Sequence, residues 1–587
     1  MRQRNATNIP IARLRLFDTT ARPGIKISMA LAGLPQHLNV KETSQQIGKF
    51  SLRTSKTVAA LLAVILCVTF YSFRSNSLIG DGLRHLQAFR IILPGTPPTF
   101  QTKPWLEVYR NHYNDLVVHN HFLYGITMRS AFALQQELGI RGDAIVAMQA
   151  VNSLCAAVAA ALFFLLGVRV GLPGWVSLGV TLGLCLSPVY LLAATNIAEV
   201  GLALPFFVGT LLLLAGRQLS GWTLVAAGAL AGLTAIFYAV AGFLVPGIAA
   251  ALILTRFPFR SAIKQLLLFL SAAGGVFAGI WVTVLVASGY HTLSNLCGAI
   301  FQFPQQGTFL NFKLGSLVAT PVGLTQGFLP VLPADFVGLR SLYQQAPWSA
   351  ACVTAATLFV VAFLAAISYV LFKRGMLRTP LVLSCLLTFL LVEAACVKWD
   401  TYYQKLHLFA VILCWVMVLV ALLEPQPFSV RWPALLFVIL VSASGLWVLK
   451  KNVEPSQMQT NAQQLVEIVG NGELITTWSG DVMHMFLYSN LGNVVSLPDL
   501  AFARRLDSPQ AQGDLEIIIQ QAMLQGRSVY FYGLFDEKSG HPYDIYETRF
   551  REKGMTAYLS ILQRKARTVA RLQQNGSQSI PLYQYVP

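Results

Sequence analysis

The sequence predicts a polytopic α-helical membrane protein, with about eleven transmembrane helices and a C-terminal α/β domain outside the membrane. Three observations predict it. Of 587 residues, 55% are hydrophobic and only 12% charged, about half the charged share of an ordinary soluble domain. Apolar runs close to the length of a bilayer core recur between residues 57 and 450. Basic residues gather on alternate loops between those runs. The composition excludes a simple soluble globule, and also a disordered chain, which needs low hydrophobicity.

The formal net charge of +18 resolves into three blocks, which are also the expected domains. Residues 1–56 carry ten Lys/Arg and two Asp/Glu and form a basic segment expected to stay cytoplasmic. Residues 57–450 carry net +11 and form the membrane domain. Residues 451–587 carry 12 basic and 13 acidic residues, and are expected to be extracytoplasmic. No block reads as a nucleic-acid-binding domain. A basic, acid-poor start also fits an organelle transit peptide, but a full-length apolar run follows it and no cleavage signature is evident. The eight cysteines include no CxxC pair, and seven lie in or beside apolar runs. They predict neither a disulfide framework nor a cysteine metal site.

Spans are expected near 57–73, 143–168, 174–194, 198–215, 221–238, 239–255, 262–287, 349–372, 380–397, 405–423 and 432–449. With the N-terminus inside, the inner loops hold nine basic residues against one acid, Glu424. The outer loops and their edges hold most of the acids: Asp81, Glu107, Asp115, Glu137, Asp143, Glu199, Asp335 and Asp400. The odd span count then places residues 451–587 outside. Two further outer segments are long. The first, 74–142, is expected to carry interfacial helices at 83–92 and 119–138. The second, 288–348, is rich in Gly, Pro, Gln and Phe and reads as a loop. After residue 450, strand-like runs at 473–478, 493–497 and 528–535 surround a helical pattern at 515–524.

Residues able to do chemistry collect at the outer face. Asp81 follows the first span, in Gly80-Asp81-Gly82, and precedes a helical stretch bearing Arg84 and His85. The plain reading of Asp81 is the N-cap of that stretch. His119 and His121 open the second interfacial helix, where i and i+2 spacing makes a poor helical metal pair. Glu199 stands at the start of the fourth span, and an acid there is costly unless it meets a partner or a cavity. Lys398, Asp400, Tyr403 and Lys405 crowd the loop between the ninth and tenth spans, which also reads as an aromatic-belt loop with snorkelling lysines. Glu393 lies inside the ninth span, where it would pair with Lys398 or face a cavity.

This ordered set resembles the GT-C superfamily of polyprenyl-phosphate-sugar-dependent membrane glycosyltransferases, in particular its aminoarabinose transferase and protein mannosyltransferase-like branch. The matches are the acid after the first span (Asp81), the stretch His119-Asn120-His121-Phe122-Leu123, the small-residue run Ala229-Leu230-Ala231-Gly232-Leu233, and a C-terminal α/β domain after the last span. The family's His-Pro-Pro is absent, and Asp81 is followed by Gly rather than a second acid. The resemblance implies inverting transfer of a sugar from a polyprenyl-phosphate donor to a lipid, glycan or protein hydroxyl, at the outer face of a bacterial inner membrane. It implies Asp81 as general base and Glu199 as a second acid that orients the acceptor or holds a metal. Arg84, Lys398 and Lys405 would neutralise the donor phosphate, and His85, His119, His121, Asp400 and Tyr403 would line the sugar or acceptor site. An activated donor needs no nucleotide-binding loop. No cofactor is required by this reading. A divalent metal ion stays open, with Glu107, His112, Asp115, His119 and His121 able to supply ligands. The competing readings are a transporter or flippase, a glycan ligase or polymerase of another fold, and a non-catalytic scaffold of glycan assembly. Transporters favour mid-membrane ionisable groups and inverted repeats, and here only Glu393 lies well inside a span and no repeat is visible.

Overall fold

The structure is a computed structural model that describes residues 52–76, 122–140, 144–216, 219–255, 259–287, 292, 314–332, 339–398, 404–423, 428–454, 457–476, 493–496, 508–535, 556–573 and 579–587. Each predicted span coincides with apolar helix. Among the described residues, seven helices are long and apolar enough to cross a bilayer: α1 (Leu52–Ser72), α3 (Ala144–Val170), α9 (Phe259–Ala287), α12 (Pro347–Lys373), α13 (Pro380–Lys398), the Gln404–Ala421 segment and α15 (Phe428–Val453). An eighth is a broken pair, α4 (Gly174–Cys185) and α5 (Pro188–Thr195), bent by 74°. The other three are shorter: a 3-10 turn at Glu199–Ala203 leading into α6 (Leu204–Leu214), α7 (Gly221–Phe237), and a 3-10 turn at Ala239–Phe243 leading into α8 (Leu244–Thr255). The Gln404–Ala421 segment likewise opens with a 3-10 turn, Gln404–His407, before α14 (Leu408–Ala421).

The helix expected at 119–138 is present as α2 (Phe122–Glu137), with Tyr124, Met128 and Phe132 buried at i, i+4 and i+8. The one expected at 83–92 lies outside the described residues. One expectation is corrected. The segment read as a loop at 288–348 contains the 15-residue helix α10 (Leu314–Phe328) and the short α11 (Leu339–Gln345). Pro321 and three glycines hid α10 from sequence reading, yet Leu324 and Phe328 are fully packed into the bundle.

The bundle is organised around α14, every residue of which is buried. A helix apolar all round belongs inside a bundle rather than at its edge. Trp415 of α14, Phe328 of α10, Phe363 of α12 and Phe437 of α15 form an aromatic cluster, with Phe363 and Phe437 stacked at 4.2 Å. At the other flank α7 lies against α9 through Gly228 and Gly232, where a Cβ would run into the backbone of Phe269 and Ala273. Small residues at this spacing let two membrane helices approach closely.

The C-terminal part is a five-stranded sheet in the order β2-β1-β3-β5-β4, formed by β1 (Glu473–Thr476), β2 (Val494–Ser496), β3 (Val529–Tyr532), β4 (Ala566–Gln573) and β5 (Ser579–Tyr585). β1 is parallel to β2 and β3, while β5 is antiparallel to both β3 and β4. Alternate residues of β1 face opposite ways. Leu474 packs on α16 (Gln457–Val469), and Ile475 packs with α17 (Ser508–Leu524) and α18 (Thr556–Arg564). The three strands and the helix expected from sequence are all present; the β4–β5 hairpin was not foreseen.

Close packing of α7 on α9 makes a contrast of glycines informative. Gly232→Val is expected to cost about 1–3 kcal/mol by overpacking. Gly274→Ala, which points into open space on α9, is expected to be neutral or stabilising by up to about 1 kcal/mol through helix propensity. Thermal unfolding of the purified variants measures both.

Candidate active site

The site begins with a break in the helical backbone. α5 ends at Thr195, and Asn196 is extended at φ −110° and ψ −177°. Helix resumes only at the 3-10 turn that starts with Glu199. Carbonyls at a helix end have no intrahelical donor, and these are shielded from bulk solvent, since residues 193–204 are all buried. Non-helical backbone within a membrane bundle persists only where protein satisfies it.

That satisfaction comes residue by residue. Ser153 Oγ donates to the Ala194 carbonyl at 2.9 Å, and Gln149 Nε2 to that of Thr195 at 3.3 Å. Asn152 Nδ2 donates to the carbonyls of Asn196 at 2.9 Å and Ala198 at 2.8 Å. The Tyr124 hydroxyl donates to the Ile197 carbonyl at 2.7 Å. Five consecutive carbonyls are thus held by side chains of α3 and α2. Gln149, Asn152 and Ser153 are spaced i, i+3 and i+4, so they form one polar stripe on an otherwise apolar helix. Gly201 belongs to the same fit, because a Cβ there would strike the Asn152 amide. The ends of α1 and α15 also meet at this point. The Ser75 amide donates to the Thr195 carbonyl at 2.9 Å, and Asn452 Nδ2 donates to Thr195 Oγ1 at 3.0 Å.

The loop so fixed presents Glu199, whose side chain is fully buried and ion-paired with Lys405. Lys405 is itself only 5% exposed and comes from the 3-10 turn before α14. The same turn reaches two other elements. Gln404 pairs with Gln326 of α10 at 3.0 Å. His407 Nδ1 lies 3.0 Å from Glu393 Oε1 of α13, with Cys396 beside them. Tyr124 is close enough to feel the pair. Burial pushes its phenol well above the ordinary value, the charge of Glu199 pushes it further, and Lys405 opposes them.

Of the residues singled out from sequence, the structure brings together Glu199 and Lys405. Lys398 is the last residue of α13. Asp81, Arg84, His85, His119, His121, Asp400 and Tyr403 lie outside the described residues, as do the metal-ligand candidates Glu107, His112 and Asp115. Glu393 was expected to pair with Lys398 or face a cavity. It meets His407, because the turn before α14 folds back against α13. Sequence reasoning passed over Gln149, Asn152, Ser153 and His407. The polar i, i+3, i+4 stripe within an apolar run was the signal for the first three.

No protein-family model and no curated protein sequence matches the chain. Solved structures do. ArnT from Cupriavidus metallidurans bound to undecaprenyl phosphate superposes with a TM-score of 0.51 at 12% identity, covering 89% of this chain and 97% of that one. Its apo state matches with the same TM-score and coverage at 13% identity. The chain has a GT-C fold. The arabinofuranosyltransferase AftD from Mycobacteria aligns at 16% identity over 92% of this chain and 40% of its own length, with a TM-score of 0.44.

Two predictions test the site's construction. Lys405→Met should destabilise the protein by about 3–5 kcal/mol, since it leaves a buried carboxylate uncompensated, whereas Glu199→Met with Lys405→Met should recover most of that loss. Denaturant or thermal unfolding of single and double variants reads the difference. Asn152→Ala strips one of two donors from the Ala198 carbonyl, which keeps the Gly201 amide, and the side-chain donor from the Asn196 carbonyl, and is expected to cost about 1–3 kcal/mol for the latter plus about 0.5–1.5 kcal/mol for the former. Ser153→Ala removes a single donor and should cost less in the same assay.

Proposed function

We propose that this chain is an integral membrane glycosyltransferase that moves a sugar from a polyprenyl-phosphate donor to an acceptor hydroxyl. The observation that carries the reading is the full-length fold match to ArnT, which has been solved with undecaprenyl phosphate bound. The reaction takes place at the extracytoplasmic face of a bacterial inner membrane. The N-terminal 56 residues face the cytoplasm, and residues 451–587 form a domain on the opposite side.

Transfer is by inversion. The acceptor oxygen attacks the anomeric carbon and gives its proton to the Asp81 carboxylate. The bond from that carbon to the phosphate oxygen breaks, and the polyprenyl phosphate leaves with the electron pair. A base for the acceptor and positive charge for the leaving group are what this chemistry needs. Arg84 and Lys398 supply charge to the phosphate. Lys405, ion-paired with Glu199, adds its positive charge to the phosphate side of the site. Glu199 thereby orients the cationic side of the site, while His85, His119, His121, Asp400 and Tyr403 line the sugar and acceptor. The acceptor is a lipid, a glycan or a protein hydroxyl.

The test is incubation of the purified protein with a panel of polyprenyl-phosphate sugars and acceptors. Wild-type protein should consume a donor, and Asp81→Asn should lower that rate at least about 100-fold, the low end for loss of a general base, with unchanged thermal unfolding. Wild-type rates in Asp81→Asn would remove Asp81 from the mechanism. A chain that consumes no donor in the panel would count against the transferase reading itself.

A further inference from the structure

We propose that Glu393, Cys396 and His407 form a binding site for a divalent transition-metal ion of the zinc class. The three are brought together by two elements: Glu393 and Cys396 sit i and i+3 on α13, so they project from one face of the helix. His407 enters from the turn that precedes α14. One ligand atom from each lies within 4.8 Å of the other two. The His407 Nδ1 to Glu393 Oε1 separation is 3.0 Å. A tetrahedral zinc site with bonds of about 2.0–2.3 Å has ligand-to-ligand edges of roughly 3.3–3.7 Å. The widest separation therefore needs to close by only about 1 Å, a side-chain adjustment.

The chemistry of the set is that of a borderline ion: one thiol, one imidazole and one carboxylate. Charge favours occupancy as well. The ion binds as the Cys396 thiol and the His407–Glu393 pair each release a proton to solvent, which leaves a thiolate, a carboxylate and a neutral imidazole as ligands. One carboxylate, one thiolate and a dication sum to zero, which avoids burying net charge. Cys396 and His407 are buried, and Glu393 is 12% exposed at the side chain. Three protein ligands leave a fourth position for water or a substrate group, the pattern of a reactive rather than a purely structural zinc site. The ion would also tie the end of α13 to the start of α14, two residues from Lys405. The inference rests on this geometry and is independent of the transferase reading.

The experiment uses the full chain, purified in detergent, stripped with a chelator and titrated with Co2+ alone. The expected result is one Co2+ per chain, with a thiolate-to-cobalt charge-transfer absorption that Zn2+ abolishes by displacement. Cys396→Ser should remove that absorption, while Cys385→Ser and Cys414→Ser retain it. Glu393→Gln and His407→Gln should weaken Co2+ binding at least about tenfold, the loss that even an outer-shell partner brings. A wild-type protein without the thiolate absorption would overturn the proposal, as would an absorption that survives Cys396→Ser. Cys396→Ser decides the matter even if His407→Gln fails to fold, because it changes one buried atom.

Discussion

Inside an apolar bundle a backbone carbonyl that leaves its helix must be met by a donor from the protein itself. Five successive carbonyls, from Ala194 to Ala198, leave the helix at one place, and the architecture around them follows from that constraint. The polar stripe of α3, the tyrosine of α2 and the ends of α1 and α15 converge there. Each such bond adds only about 0.5–1.5 kcal/mol net. The set as a whole nevertheless makes the alternative expensive, because a carbonyl without a donor would be shielded from bulk solvent. The break is therefore rigid rather than loose. A rigid break is what allows Glu199 to be aimed with accuracy.

The position of Lys405 has a different origin. It belongs to a four-residue turn that caps the most deeply buried helix of the bundle. Three of that turn's residues point to three different elements: Gln404 to α10, Lys405 to the Glu199 turn, and His407 to α13. A turn held from three sides has little freedom to rotate. The ammonium is thus placed by α14 and its neighbours, while the carboxylate is placed by α2 and α3. Two differently anchored segments of the bundle meet in one ion pair.

The fold was largely legible in the sequence because its signals are long and local. Apolar run length and basic loops pointed to eleven of the described helical segments, including the short ones at 199–214, 221–237 and 239–255. α10 was missed because Pro321 and its glycines obscure the pattern that burial later supports. Of the site, Glu199 and Lys405 stood out as charges at span ends, but 206 residues separate them, and nothing in the local sequence pairs them. Glu393 illustrates the same limit. Its nearest basic neighbour in sequence is Lys398, yet the return of the chain before α14 supplies His407. Gln149, Asn152 and Ser153 were visible as polar residues in an apolar run, but their purpose depends on a break located 45 residues further on.

A buried ion pair is a poor way to hold helices together. Removing two charges from water costs several kcal/mol for each ion, and well-packed apolar substitutes are often as stable or more so. The Glu199 loop is already secured by its five carbonyl bonds, and the turn before α14 by Gln404 and His407. Stability therefore does not account for the pair. What the pair supplies is a buried cation, fixed in position and charge-balanced by Glu199. In such surroundings the field of the ammonium is far stronger than it would be in water. Mutual neutralisation is how the chain tolerates two charges where the surrounding residues, from Ala198 to Leu204 and from Leu406 to Ala421, are otherwise almost wholly apolar.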